Sequence, residues 1–384
     1  MGCRNIMLLS CLTALLTSGC AGKPDQPAAA PPGSEYENAA ASYRQAFKAI
    51  DGLLEEPGTP LNAMGPVRPE EGSSDLVSRL EPGLEWMHDG AAETRCEWGV
   101  DLHRRGAAAE FPHIRYVRPL ARGAALRASS RWDSGARGQA IEDVRAMLAF
   151  ARHVAAGGKG GLVSLTASQD VEAIVIDLLR RWIADGESAG LLEDLCREPE
   201  RPPGNLAKVA LLLETETILP WARRLSTEAA LDAQDQRDRD AYIAPLMQRF
   251  GREKLLELIA ASAEHYRETA DLLDLPPEEF AVRFSQCIRR WDGAGNPFSQ
   301  VGIVECPGIP KGYWGQARLR AQWAMLHAAS YIQRGGPQAG REVIDPFSDR
   351  PFDCELSRDG FILRSALIVD GERVQMEFKD DRMR

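Results

Sequence analysis

Three polar residues sit where helical periodicity asks for apolar ones. Glu172 falls on the face formed by Ile176, Leu179 and Ile183. Glu214, in "LLLETETILPW", shares a face with Ala207, Ala210, Ile218, Trp221 and Leu225. His265 lies on the stripe of Leu258, Ala261 and Leu272. A buried carboxylate without a partner is costly, so each should be paired or line a cavity. Two glutamates and a histidine projecting inward from separate helices have the chemistry to hold a metal or to act as acid and base. Such a site requires Glu172 and Glu214 to face one interior space. The paired Glu-x-x-His of di-iron helix bundles is missing, and structural ion pairs with Arg180, Arg181, Arg223 or Arg224 are the simpler expectation. No catalytic residue, metal ligand or cofactor is assigned.

A second candidate is "AAGGKGGLVSLT", residues 155–166, with Lys159 among four glycines. A phosphate-binding loop needs a strand before it and Gly-Lys followed by serine or threonine. Here a helical pattern precedes it and Gly160 follows Lys159, so the stretch reads as a joint between helices. No HExxH, GxSxG, dinucleotide fingerprint or paired CxxC occurs. The acidic run "DAQDQRDRD", residues 232–240, reads as a solvated connection. Trp132, Trp182, Trp221 and Trp323 fall in helical segments as core residues. Trp98 and Trp314 stand beside glycines near loops, as exposed anchors or, more in keeping with packing, as lids over helix ends.

The elements that must position these residues are mostly helical. The pattern holds from about residue 35 to 335, starting with "SEYENAAASYRQAFKAIDGLL". Residues 114–155 form the clearest unit, with stripes Val117, Ala121, Ala124, Ala128 and Ile141, Val144, Leu148, Ala151 around the turn "SGARG". That spacing predicts an antiparallel helical hairpin with small residues where the backbones approach. "VEAIVIDLLRRWI" is apolar almost all round and should be central. Further helices are expected near 189–197, 205–225, 241–250, 252–273, 277–290 and 313–334. After residue 336, apolar and polar residues alternate, with Asp359-Gly360 and Asp370-Gly371 at turns, predicting a small antiparallel meander over 352–378. The fold class is mainly α, packed antiparallel helical hairpins with a small C-terminal β meander in residues 336–384 leaning on the last helix.

"MGCRNIMLLSCLTALLTSGCAG" carries one early charge, an apolar run from Ile6 to Leu16, then small residues before Cys20. This order resembles a bacterial lipoprotein signal, residues 1–19, cut before Cys20 with lipid on its thiol; Thr17 stands where the pattern usually has leucine. The run is shorter than the ~20 residues that span a bilayer. Residues 20–34 hold the lipidated cysteine and a proline- and alanine-rich tether. Cys96, Cys196, Cys287, Cys306 and Cys354 remain, an odd number that permits at most two bridges.

"TRCEWGVDL" (94–102), the hairpin with "AFARHV", and "YIQRGGPQAGREVIDPFSDRPFDCELSRDGFILRS" (331–365) resemble an uncharacterised family of exported bacterial helical proteins. That resemblance implies architecture and no chemistry. The second stretch is also similar to the heads of type II secretion pseudopilins. The long apolar N-terminal helix through which those assemble is lacking, so filament formation is not implied.

A net charge of −10 argues against a nucleic-acid partner, which needs surplus lysine and arginine. The expected function is a membrane-tethered lipoprotein outside the cytoplasm, facing the periplasm or exterior, acting as an interaction or scaffold module with an envelope protein partner. The rival is an envelope hydrolase with its site among the inward polar residues. An orphan structural protein of an envelope assembly is the third reading.

Overall fold

The structure, a computed structural model, describes residues 38–63, 65, 67, 74–156, 161–184, 189–196, 205–293 and 308–379. The chain divides into Met1–Tyr36 and Glu37–Arg384. The signal-like segment, Cys20 and the tether fall in the first unit and lie outside the described residues, as does Cys306.

In the second unit helices dominate. Helices α1 (Ala39–Leu54) and α2 (Ser74–Ala92) lie antiparallel, with Gly83 against Ala46 and Ile50, and Gly90 against the Tyr43 ring. Asn38 caps α1, accepting from Ala40 N at 3.1 Å. After the single turn α3 (Leu102–Arg105) come α4 (Ile114–Asp133) and α5 (Arg137–Ala156), the hairpin anticipated over 114–155. Its facing alanines, Ala121, Ala124 and Ala128, are buried. Helix α6 (Gly161–Ala184) follows, then α7 (Ala189–Cys196), α8 (Leu206–Thr227), α9 (Ala233–Asp238), a π-helical turn (Arg239–Ile243) and α10 (Ala244–Phe250). Helices α11 (Arg252–Leu272), α12 (Pro277–Gly293) and α13 (Gly308–Gly335) complete the helical part. No helix among the described residues is long and apolar enough to cross a membrane.

The core has two parts, and α6 and α13 run through both. Leu162, Leu165, Ile309 and Tyr313 belong to a cluster with α8, α11 and α12. Farther along the same helices, Val175, Leu179, Trp323 and Leu326 join the cluster of α1, α2, α4 and α5. Leu162 lies near Gly308 and Gly312, and Gln169 donates to Gly312 O at 3.0 Å. Glu172 accepts from Trp323, so the two helices point the same way. The nearly all-round apolarity of "VEAIVIDLLRRWI" follows from this position: α6 touches α4, α5, α7, α8, α13 and the sheet.

Three strands, β1 (Asp353–Ser357), β2 (Gly360–Val369) and β3 (Glu372–Lys379), pair antiparallel in sequence order. Ser357 pairs with Gly360, so the first turn is Arg358-Asp359, one residue earlier than the expected Asp359-Gly360. Asp370 and Gly371 make the second turn, both at positive φ, as a tight hairpin requires. Phe361, Leu363, Val374, Met376 and Phe378 face inward and share the core cluster of the helices. The meander thus packs on α6 as well as on α13.

"TRCEWGVDL" has a packing role. Trp98 is a buried lid stacked on His113 at 4.3 Å, and its indole N–H donates to His153 O at 3.1 Å. Tyr43 Oη and His153 Nδ1 lie 2.8 Å apart behind it. Burial, with Arg44 nearby, lowers the His113 pKa to about 4 from its ordinary 6.5. His113 is therefore neutral in the folded protein, while the unfolded chain takes up its proton first as the pH falls. Stability should be flat above about pH 6.5, fall between there and pH 4, and lose up to about 3 kcal/mol through this group. His153 is lowered in the same direction by burial and Arg152. His113→Phe, which keeps a stacking ring, should match wild type at pH 7 and exceed it at pH 4 in urea unfolding. Equal pH slopes would contradict this account.

Candidate functional site

The polar residues singled out in the sequence are held apart by separate partners. Glu214 Oε1 accepts from Leu162 N at 2.8 Å, capping the N-terminus of α6. Helix α5 ends at Ala156 and α6 starts at Gly161, so residues 157–160, outside the described residues, join two helices. The helix end that follows the glycine-rich stretch, where a phosphate-binding loop would hold its anion, already holds a carboxylate of the chain itself. Glu172 accepts from Trp323 Nε1 at 3.1 Å, ten residues farther along α6 than Leu162, or about 15 Å of helix rise. His265 packs against Trp291 at 5.1 Å on α11, and burial lowers its pKa. The two glutamates do not converge, and no group of three or more histidine, cysteine, aspartate and glutamate residues among the described residues could hold a metal.

Three of the four arginines proposed as partners, Arg180, Arg181 and Arg224, pair with aspartates. Arg180 and Arg181 pair with Asp177, at 3.0 and 3.7 Å. Arg224 pairs with Asp235. The acidic run at 232–240 is only partly solvated: Asp232 and Asp240 are exposed, whereas Asp235 and Asp238 are buried. Arg105 holds Asp238 at 3.0 Å and Arg104 holds Asp232 at 2.6 Å, tying α3 to α9. Trp132 and Trp182 stack at 4.1 Å, and with Trp221 and Trp323 they are buried, as expected. Among the described cysteines, Cys96, Cys196, Cys287 and Cys354 are free thiols.

One cluster escaped sequence reasoning. Asp143 on α5 is fully buried and accepts from Arg127 at 2.6 Å and from Arg131 at 3.0 Å. His88 Nε2 lies 2.8 Å from the same carboxylate, and Glu81 takes the other ends of both guanidiniums, at 2.9 and 3.1 Å. Three helices contribute, and no local spacing announces them. His88 is 34% exposed and oriented by a buried carboxylate, an arrangement suited to proton transfer.

A cavity of about 1060 Å³ lies between the α11–α12 junction, the first turns of α13 and the sheet. Helix packing fixes one wall. Tyr313 stacks on Phe280 at 3.9 Å, and Trp314 sits edge-on to both rings. The Tyr313 hydroxyl donates to Leu275 O at 2.8 Å, which anchors the Leu275-Pro276-Pro277 junction; burial pushes this phenol to about 12, so it stays a donor.

The opposite wall is the "DPF" turn and a bulge in β2 between Arg364 and Ile368. A bulge frees backbone amides, and Asp345 takes them up. Its buried carboxylate accepts from Ser365 Oγ at 2.8 Å, Ala366 N at 2.6 Å and Phe347 N at 3.1 Å. Leu367 N donates to Ser365 Oγ at 3.0 Å. Phe347 is thereby fixed on the rim, with the Arg320 guanidinium 5.7 Å over its ring. Glu278, Asp349 and the half-exposed Ile368 complete the mouth. The sequence had marked one residue of this cleft, Trp314 beside Gly315, as an anchor or lid. The juxtaposition of residues near 275, 314, 347 and 368 is purely tertiary. No family model, curated protein or solved structure matches the chain.

Proposed function

We propose that the chain is a membrane-tethered interaction module of the cell envelope. It is exported, lipidated at Cys20, spaced from the membrane by residues 22–34, and binds an envelope partner through the cleft between α12, α13 and the sheet. The observation that carries this reading is the cleft itself: an open, aromatic-walled cavity of about 1060 Å³ whose walls are braced by the chain's own hydrogen bonds. Preorganised walls spare a binding site the entropy of ordering itself around its ligand. The acidic rim and the net charge of −10 disfavour a nucleic acid as that partner.

A photo-crosslinking residue at position 368, in the full-length protein in its native envelope, tests the reading. The expected result is one adduct, absent when the probe stands at exposed Val163 and lost in the Cys20→Ala form. Equal labelling from both positions, or an adduct indifferent to the anchor, would refute it. The second reading, an envelope hydrolase, is favoured by the His88–Asp143 pair alone. It requires a hydrolytic activity that His88→Ala abolishes while stability holds.

A further inference from the structure

We infer that the cleft takes an extended peptide segment in which lysine or arginine alternates with aromatic or aliphatic residues; this rests on the reading of the chain as an interaction module. The walls supply the apolar half of the match, with Tyr313, Trp314 and Phe347 on two sides of the cavity and Ile368 at its mouth. The rim supplies the charge. Glu278 and Asp349 are exposed and engage no group among the described residues, while Asp274 is shared with Lys208 at 2.5 Å. Arg320 is the only cation among the described lining residues, so negative charge is in excess among them. Carboxylates beside aromatic faces favour a cationic side chain twice, by Coulomb attraction and by the ring quadrupole.

Several polar groups of the lining are already occupied by the chain itself. Asn205 accepts from Ala207 N and Lys208 N, at 3.0 and 3.2 Å, and donates to Leu273 O. Gln316 Oε1 accepts from Ala207 N at 3.4 Å, and the Tyr313 hydroxyl is held by Leu275 O. A glycan needs such amides and hydroxyls for its own hydroxyls. The bulge amides Ala366 N and Leu367 N are likewise engaged, so recognition there runs through side chains and not by strand addition. The volume reaches the upper end of the ~300–1,000 Å³ range of drug-sized pockets, which suits several residues of peptide better than a small amine.

The test is fluorescence anisotropy with full-length protein in detergent and a short labelled peptide of alternating lysine and phenylalanine. The expected result is binding that weakens at least about tenfold in the combined Glu278→Gln, Asp349→Asn variant, and again at high ionic strength. A glutamate–phenylalanine peptide should bind at least about tenfold more weakly. Equal affinity of the two peptides, or no effect of the rim variant, overturns the inference. So does preferential binding of spermidine or of an N-acetylglucosamine oligomer. If no probe peptide binds while position 368 still crosslinks a partner, this occupant is wrong and the interaction module survives. If position 368 crosslinks nothing, the module reading itself fails.

Discussion

Asp143→Ala is expected to destabilise the protein by about 3–5 kcal/mol, the range for breaking a buried ion pair from one side. The magnitude comes from what remains behind more than from what is removed. Arg127 is almost wholly buried and would keep only Glu81 as its counter-charge. Arg131, a quarter exposed, would face it without the carboxylate that now lies between them. His88 would lose its partner on the same side. The network ties α2 to both arms of the α4–α5 hairpin, so its loss loosens a helical contact as well as a charge pair. Urea unfolding should show a lower midpoint at unchanged slope.

Two further variants separate uncompensated charge from lost packing. Glu81→Gln removes a carboxylate that is 39% exposed and should cost no more than about 1 kcal/mol, because water replaces it. Replacing Asp143 and Arg127 together by leucine and methionine should recover most of the loss, since a buried pair exchanged for apolar residues of similar size is often neutral. If the double variant is as unstable as Asp143→Ala alone, shape at this junction matters more than charge.

How much of this was legible beforehand follows from the range over which each signal acts. Helices and strands announce themselves by local periodicity. The hairpin at 114–155, the central position of α6 and the meander were accordingly visible within windows of a few turns. Side-chain partners are a tertiary property. Glu214 was recognised as inward-facing, but its partner is a backbone amide 52 residues away, which no sequence pattern marks. The arginines nearest in sequence were the wrong ones, since Arg180 and Arg181 bind Asp177 on their own helix turn. A charge-rich stretch such as 232–240 reads as solvated because composition carries no record of opposite charges arriving from α3 and α8. The cleft had only a fragment in view, an aromatic beside a glycine, because its walls come from five separate parts of the chain.

Gly106→Ala should destabilise by about 4 kcal/mol, through two effects of about 1–3 kcal/mol each. Gly106 ends α3 at φ 47° and ψ −126°, a conformation that side chains disfavour. An added Cβ would also lie 2.3 Å from the Trp221 ring, which is buried and held edge-on by Tyr242. The indole has no room to retreat, so α3 must lift instead. Lifting strains the bonds from Arg104 to Asp232 and from Arg105 to Asp238, and the one from Arg224 to Arg104 O at 3.0 Å. Asp232 and the buried Asp238 would then lose their counter-charges, and α9 with the π-helical turn should exchange amide hydrogens faster than the rest of the chain. Gly135→Ala is the control, at φ 84° with open space around it, and should lose only the backbone share, about 1 kcal/mol. Trp221→Leu in the Gly106→Ala background should recover part of the loss in a double-mutant cycle, because it removes the ring that the methyl strikes. Equal costs for the two glycine variants would place the whole effect in the backbone and leave Trp221 without a part in it.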